Sequence, residues 1–133
     1  MIGIVIVNYN TYEDTLNCVK SIIETTKKDY HIYIIDNLST DNSYEKLKNY
    51  YQGSDMISVV DAGKNAGYSA GNNIAINLAL NDGADAVLLS NSYVIYYENA
   101  IDLMYDKLIN SEDKIQIIGP KIRLENGELQ DFV

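Results

Sequence analysis

The sequence predicts an α/β fold built on a mostly parallel sheet, and three observations predict it. Short apolar runs alternate with segments of helical period along the chain. The first run is apolar at every position rather than at alternate ones, as strands buried on both faces are. Each of the first four runs gives way to a polar stretch rich in Asn, Ser, Thr or Gly.

Residues 2–7 form the first strand, β-branched apart from Gly3. A polar exit over 8–11 leads into a helix over 12–26, where Thr11 and Asp14 resemble a capping pair and Tyr12, Leu16, Val19 and Ile22 or Ile23 share one face. Residues 32–35 are the second strand. The exit DNLSTDNS can cap a helix over 43–51, and residues 57–60 are the third strand. The loop DAGKNAGYSAG precedes a helix over 72–82, with Ile74, Ala75, Leu78 and Ala79 spaced for burial. Residues 86–89 are the fourth strand, running out into Ser90, Asn91 and Ser92. Tyr97, Ile101, Met104, Tyr105 and Leu108 mark the next helix, with Glu98 in its first turn. A further strand is expected over 115–118, and a C-terminal hairpin over 122–129 around Glu125, Asn126 and Gly127. Helices then cover both faces of the sheet.

A length of 133 residues suits one domain, residues 1–133, and 47% apolar with 22% charged residues is the composition of a soluble globular protein. Ten basic against nineteen acidic residues give a net charge of −9 without any Lys/Arg cluster, which argues against nucleic acid as a partner. The same charge repels an anionic ligand, which then needs backbone N–H groups, a cation, or local help from Lys64, Lys121 or Arg123. Twelve Tyr against one Phe and no Trp put hydroxyls on the aromatic bulk, which suits groove walls. Cys18 is the one cysteine, so no intrachain disulfide forms, and its place on the apolar helix face makes it a core residue. The first apolar run is too short for a signal peptide or a membrane span, so a cytoplasmic location is the default expectation.

Ligands of parallel sheets bind beyond the carboxyl ends of the strands, which selects the loops NYNT, DNLSTDNS, AGKNAGYSAGNN and SNSY. The turn after the first strand has no glycine, which disfavours NAD or FAD, and no GK[ST] follows a strand, which excludes a P-loop. A phospho-receiver domain shares the alternation, but Asn8 and Asn10 stand where its acidic pair belongs, with Asp61 near the place of its phosphorylated Asp.

The loops match another pattern. NYN, IIDNLSTDNS, NAGYSAGNN, LLSNS and GPKIRLENGELQ closely resemble, in order, the nucleotide-binding half of family 2 glycosyltransferases, nearest the rhamnosyltransferase-like branch. The resemblance spans almost the whole chain and implies a GT-A, Rossmann-like fold that binds a UDP- or dTDP-sugar and transfers the sugar to an acceptor hydroxyl. The loop residues it points to are Val7, Asn8, Tyr9, Asn10, Asp36, Asn37, Ser39, Asn65, Gly67, Tyr68, Gly71, Asn72, Asn73 and Asn91.

Residue chemistry supports part of that set independently. An amide at Asn37 can accept the N3–H of uracil or thymine and donate to a ring carbonyl. The alternative is that Asp36, Ser39 and Asp41 cap the following helix. Gly67 and Gly71 with the amides of Asn65, Asn72 and Asn73 can wrap a ribose and offer N–H groups to a phosphate, or the glycines serve only turns and close packing. Tyr9 and Tyr68 can wall the base or simply anchor their loops. His31, with no acid or nucleophile nearby, reads as a surface or satisfied histidine, and the charges at 27–29 and 111–114 as solvated helix ends.

The resemblance also implies a divalent cation, Mg²⁺ or Mn²⁺, held by an Asp-X-Asp-like motif at the fourth strand end, where the family Asp falls on Ser92. A serine hydroxyl is a weak ligand for such ions, so metal binding and turnover by this chain are both expected to be impaired. Family members continue past the length of this chain into an acceptor half that carries the catalytic base. No residue stands in its place here, Asp131 being only a guess. The expectation is therefore a truncated donor-binding domain with apolar surface uncovered over 115–133 that associates with itself, or else a non-catalytic nucleotide-binding or interaction module. Cell-envelope polysaccharide synthesis at a membrane-proximal acceptor is what the resemblance implies.

Overall fold

The computed structural model describes residues 1–112 and 115–130. Four parallel strands, β1 (Ile2–Asn8), β2 (Tyr30–Asp36), β3 (Ile57–Asp61) and β4 (Ala86–Asn91), make one sheet in the order β3-β2-β1-β4. Helices α1 (Tyr12–Thr25), α2 (Ser43–Tyr50), α3 (Tyr68–Asn81) and α4 (Ala100–Ile109) connect and follow them. The first strand in sequence is thus a central one, buried along its whole length as its unbroken apolar run requires.

Because side chains alternate across a strand, β1 feeds two separate cores. Ile2, Ile4 and Ile6 join Ile32, Ile34, Cys18, Val19, Ile22, Leu47 and Ile101 beneath α1, α2 and α4. Val5 joins Tyr33 and Ile35 beneath Ala75 and Ala79 of α3. Helix α3 runs opposite to β1 and lies very close to it. A Cβ added at Gly3 would stand 2.5 Å from that of Ala79, and one at Gly71 would stand 3.1 Å from both methyls of Val7.

Several expectations need correction. Helix α3 starts at Tyr68, not at 72, because Gly67 at φ 88° makes the turn into it while Gly71 is an in-helix contact with β1. Tyr97 is exposed and lies outside α4, and Glu98 precedes the N-cap Asn99 at φ 51°, so Asp102 is the acid of the first turn. The strand expected over 115–118 does not form. A strand needs a partner; the outer edge of β4 is open, but the segment does not return to it, and Ile117 is 91% exposed. The hairpin exists in small form: Arg123 bridges Leu129 antiparallel, with Leu124 N donating to Glu128 O and Gln130 N to Ile122 O, both at 2.8 Å.

The charges at 27–29 do more than face solvent. Asp102 accepts the backbone N–H groups of Lys27 and Lys28, and the Lys28 ammonium pairs with Asp106 at 2.6 Å, fastening α4 to the α1–β2 turn. Two residues of the 111–114 segment, 113 and 114, lie outside the described residues, as does Asp131. His31 is satisfied, its Nε2 standing 2.8 Å from Ser58 Oγ.

Candidate functional site

Parallel strands deliver all their exit loops to one edge, and here the register sets Asn8, Asp36 and Asp61 in one row, with Asn91 level with Val7. Asn8, 0% exposed, is the hub of that edge. Its Nδ2 donates to Asp36 Oδ1 at 2.7 Å and to Ser39 Oγ at 3.1 Å. Its Oδ1 accepts from Thr15 at 2.8 Å, with the Thr11 hydroxyl 3.1 Å away, which fills the capacity of an amide.

Ser39 holds Asp36 twice more, through its hydroxyl at 2.6 Å and its N–H at 2.8 Å. Asn10, at φ 55°, donates its N–H to Ser39 Oγ at 2.9 Å and accepts that of Thr40 at 2.8 Å. Asn8, Asn10, Asp36 and Ser39 are therefore bound largely to one another, sewing the loops after β1 and β2 together. Neither Asp36 nor Ser39 caps α2. The N-cap residue is Asn42, at φ 63°, whose side chain makes no cap bond; just before it, bonds from the Ser43 hydroxyl and N–H hold the Asp41 carboxyl below the usual carboxylate range.

Asn37 differs from its neighbours. It is 4% exposed, and its Nδ2 donates to Asn65 Oδ1 at 3.0 Å, while its Oδ1 is buried without a hydrogen-bond partner. Asn72, one turn into α3, is in the same condition: Nδ2 donates back to Tyr68 O at 3.1 Å and Oδ1 is buried without a partner. An unpaired buried carbonyl costs about 1–3 kcal/mol, so two of them at one sheet edge call for a reason. Gly67 and Gly71 are accounted for by the turn into α3 and by the contact with Val7. Tyr9, Tyr68 and Asn73 are exposed at the rim.

At the end of β4, Ser90 faces inward, accepting from Tyr96 Oη at 3.0 Å and lying 3.7 Å from Cys18 Sγ. Burial pushes the Cys18 thiol up to about 11 and the Tyr96 phenol up to about 12, the bonds to Ser90 working against it. Asn91 donates to Tyr93 Oη at 2.9 Å. Ser92 is buried, its hydroxyl 3.1 Å from that of Thr11. Thr11 is the N-cap residue of α1, as expected, but its side chain goes to Asn8 and Ser92 and makes no cap bond, contrary to the expected pairing with Asp14.

A divalent cation does not fit these residues. Ser92 is neutral and already engaged, and among the described residues no group of three or more His, Cys, Asp or Glu side chains is placed to hold a metal. Two contributors escape a reading of the loops alone. Thr15 reaches the hub from inside α1, signalled only by a small polar residue on a sheet-facing helical position, three before Cys18. Lys46 lines a groove with Asn10, Thr11, Asp14 and Asp41 and lies over the Tyr12 ring at 5.2 Å, while the hairpin's Arg123 donates to Gly127 O.

A family model described as glycosyl transferase family 2 matches residues 3–128. The chain belongs to that family. Among curated relatives, this family 2 chain is 26% identical over 119 residues to glycosyltransferase GlyG of Streptococcus pneumoniae, covering 90% of this chain and 38% of that protein. It is 29% identical over 127 residues to the low-salt glycan biosynthesis hexosyltransferase Agl10 of Haloferax volcanii, covering 95% of this chain and 38% of that one. The chain thus spans under two fifths of the length of these relatives. Among solved structures it resembles S. aureus TarS 1–349 in complex with UDP-GlcNAc, with a TM-score of 0.65 at 17% identity over 82% of this chain and 31% of that one. The UDP complex of the same protein gives 0.63 at 18% over 80% and 31%. The fold is GT-A.

Proposed function

We propose that this domain holds the nucleotide of a UDP- or dTDP-sugar donor at the carboxyl edge of the sheet, as part of a glycosyltransferase of the rhamnosyltransferase-like branch. The observation that carries the reading is Asn37 Oδ1, a buried acceptor with no partner at the edge where parallel sheets take ligands. An imide N3–H is the group that would satisfy it. Family membership and the fold shared with a UDP-GlcNAc complex support the same ligand class. The open first turn of α3, which has no side-chain cap, offers backbone N–H groups to the phosphates.

Transfer by these residues alone is expected to be weak. Stabilising the leaving diphosphate normally draws on a cation, and losing one such transition-state contact costs about 10²–10³ in rate. With Ser92 engaged by Thr11, that contact does not come from Ser92 as it stands. The acceptor is a membrane-proximal glycan and the location cytoplasmic in this reading; among the described residues no helix is long and apolar enough to cross a membrane.

Titration of the folded chain with UDP and dTDP in the presence of a chelator is expected to raise its melting temperature by several degrees at millimolar nucleotide. No shift with either nucleotide would overturn the reading. A second reading, a non-catalytic nucleotide-binding or interaction module, is favoured by the neutral, buried Ser92. Detectable sugar transfer by this chain would eliminate it.

Leu89, Ile109, Ile117, Ile122, Leu124 and Leu129 are all at least 40% exposed around the unpaired β4 edge and the C-terminal hairpin. The domain is accordingly expected to self-associate through this surface. Sedimentation showing only monomer at 100 µM, on the order of the upper range for weak interfaces, would exclude that.

A further inference from the structure

We infer that Asn65 is a positioning residue that fixes which way the Asn37 amide faces, and thereby makes the site read a ring N–H (uracil or thymine) and reject cytosine. The inference rests on the proposed nucleotide site and adds the device that sets its base preference.

A carboxylate presents oxygen whichever way it turns; an amide does not. Asn37 can offer a carbonyl to the base in one orientation and an NH₂ in the other, and only the first accepts the N3–H of uracil. The second would instead suit the bare N3 of cytosine. Something has to hold the amide in one of the two states, and a relay of bonds does so. It begins at a group that cannot be reversed: the backbone N–H of Gly67 donates to Asn65 at 3.2 Å, so the Asn65 atom it meets is the carbonyl oxygen. The same oxygen lies 3.0 Å from Asn37, so the Asn37 atom facing it is the NH₂. That leaves Oδ1 of Asn37 pointing away from Asn65, buried and without a partner. Reversing Asn37 would set two carbonyls against each other unless Asn65 also reversed, and Asn65 cannot reverse without setting its own NH₂ against the Gly67 N–H.

The oxygen is sealed in this conformation, with a Cβ at Gly71 falling 3.8 Å from it. Contact between a base and this oxygen therefore requires the first turn of α3, whose Gly71 lies against Val7, to shift away from it.

The test compares UDP with CDP by calorimetry for the wild type, Asn65→Ala, Asn65→Asp and the double variant Asn65→Ala/Asn37→Asp. The diphosphate is common to both ligands, so a general loss of stability or of phosphate binding leaves their affinity ratio unmoved. The wild type is expected to favour UDP about tenfold or more, as one well-placed bond against a mismatched one allows. Asn65→Ala should bring the ratio to about threefold or less. Asn65→Asp, which still accepts both N–H groups, should keep it. The double variant should restore it, since a carboxylate at 37 has no wrong face to turn. A wild-type ratio that survives Asn65→Ala, or a double variant that stays indiscriminate, overturns the positioning role while leaving the nucleotide site standing. A wild type that binds UDP and CDP equally overturns base reading by Asn37, and one that binds neither overturns the site itself.

Discussion

Replacing Asn8 with leucine is expected to lower the stability of the domain by about 3–5 kcal/mol, measured as a fall in the urea midpoint at unchanged slope. Leucine keeps the branched outline of asparagine but is larger, so none of that loss comes from a cavity and part of it comes from overpacking. The rest comes from the partners left behind. Asn8 is fully buried and donates to Asp36 at 2.7 Å while accepting from Thr15 at 2.8 Å. Leucine leaves the Asp36 carboxylate held by Ser39 alone and the Thr15 hydroxyl without its acceptor, in a place where water has little access. Each buried group stranded in this way costs about 1–3 kcal/mol, more when it is charged. A loss below about 1 kcal/mol would show that the network contributes geometry rather than stability.

The second large effect concerns packing. Alanine for glycine inside a strand ordinarily stabilises by about 0.5–1 kcal/mol, through lower backbone entropy in the unfolded chain. At Gly3 the sign should reverse, because the new Cβ would stand 2.5 Å from that of Ala79 and 3.3 Å from that of Ala84. Helix α3 must then lift from the sheet, and overpacking of this kind costs about 1–3 kcal/mol. Ala79→Gly on its own should cost about 1 kcal/mol of helix propensity. Combined with Gly3→Ala it should recover part of the loss, and a double-mutant cycle with no coupling would place the clash elsewhere.

The four strands of the sheet were legible in the sequence because burial on both faces leaves a clear mark, as in the run from Ile2 to Val7. The start of α3 was not. A glycine at 71 looks like loop punctuation until its neighbour across the interface, Val7, is known, and that contact joins residues 64 positions apart (71 against 7). The missing fifth strand has a related cause: Ile115, Ile117 and Ile118 carry strand chemistry, but pairing depends on an edge, and local sequence cannot say whether the chain returns to it. Within the site, the sequence could nominate Asn37 as a hydrogen-bonding amide. It could not show that Nδ2 is committed to Asn65, or that Asn8, Asp36 and Ser39 are occupied mainly with each other, because those bonds run between different loops.

The placement of β1 between β2 and β4 also has a temporal side. The β1–β2 ladder draws only on the chain from Ile2 to Asp36, but Ile2 meets Ala86, and Thr11 meets Ser92 across 81 positions of chain. Closing so long a loop is entropically the most demanding contact of the sheet. On this ground β1 is expected to pair with β2 before β4, and the Thr11–Ser92 contact waits for the chain from 11 to 92. Until β4 arrives, the bare edge of β1 is open to pairing with a strand from another chain.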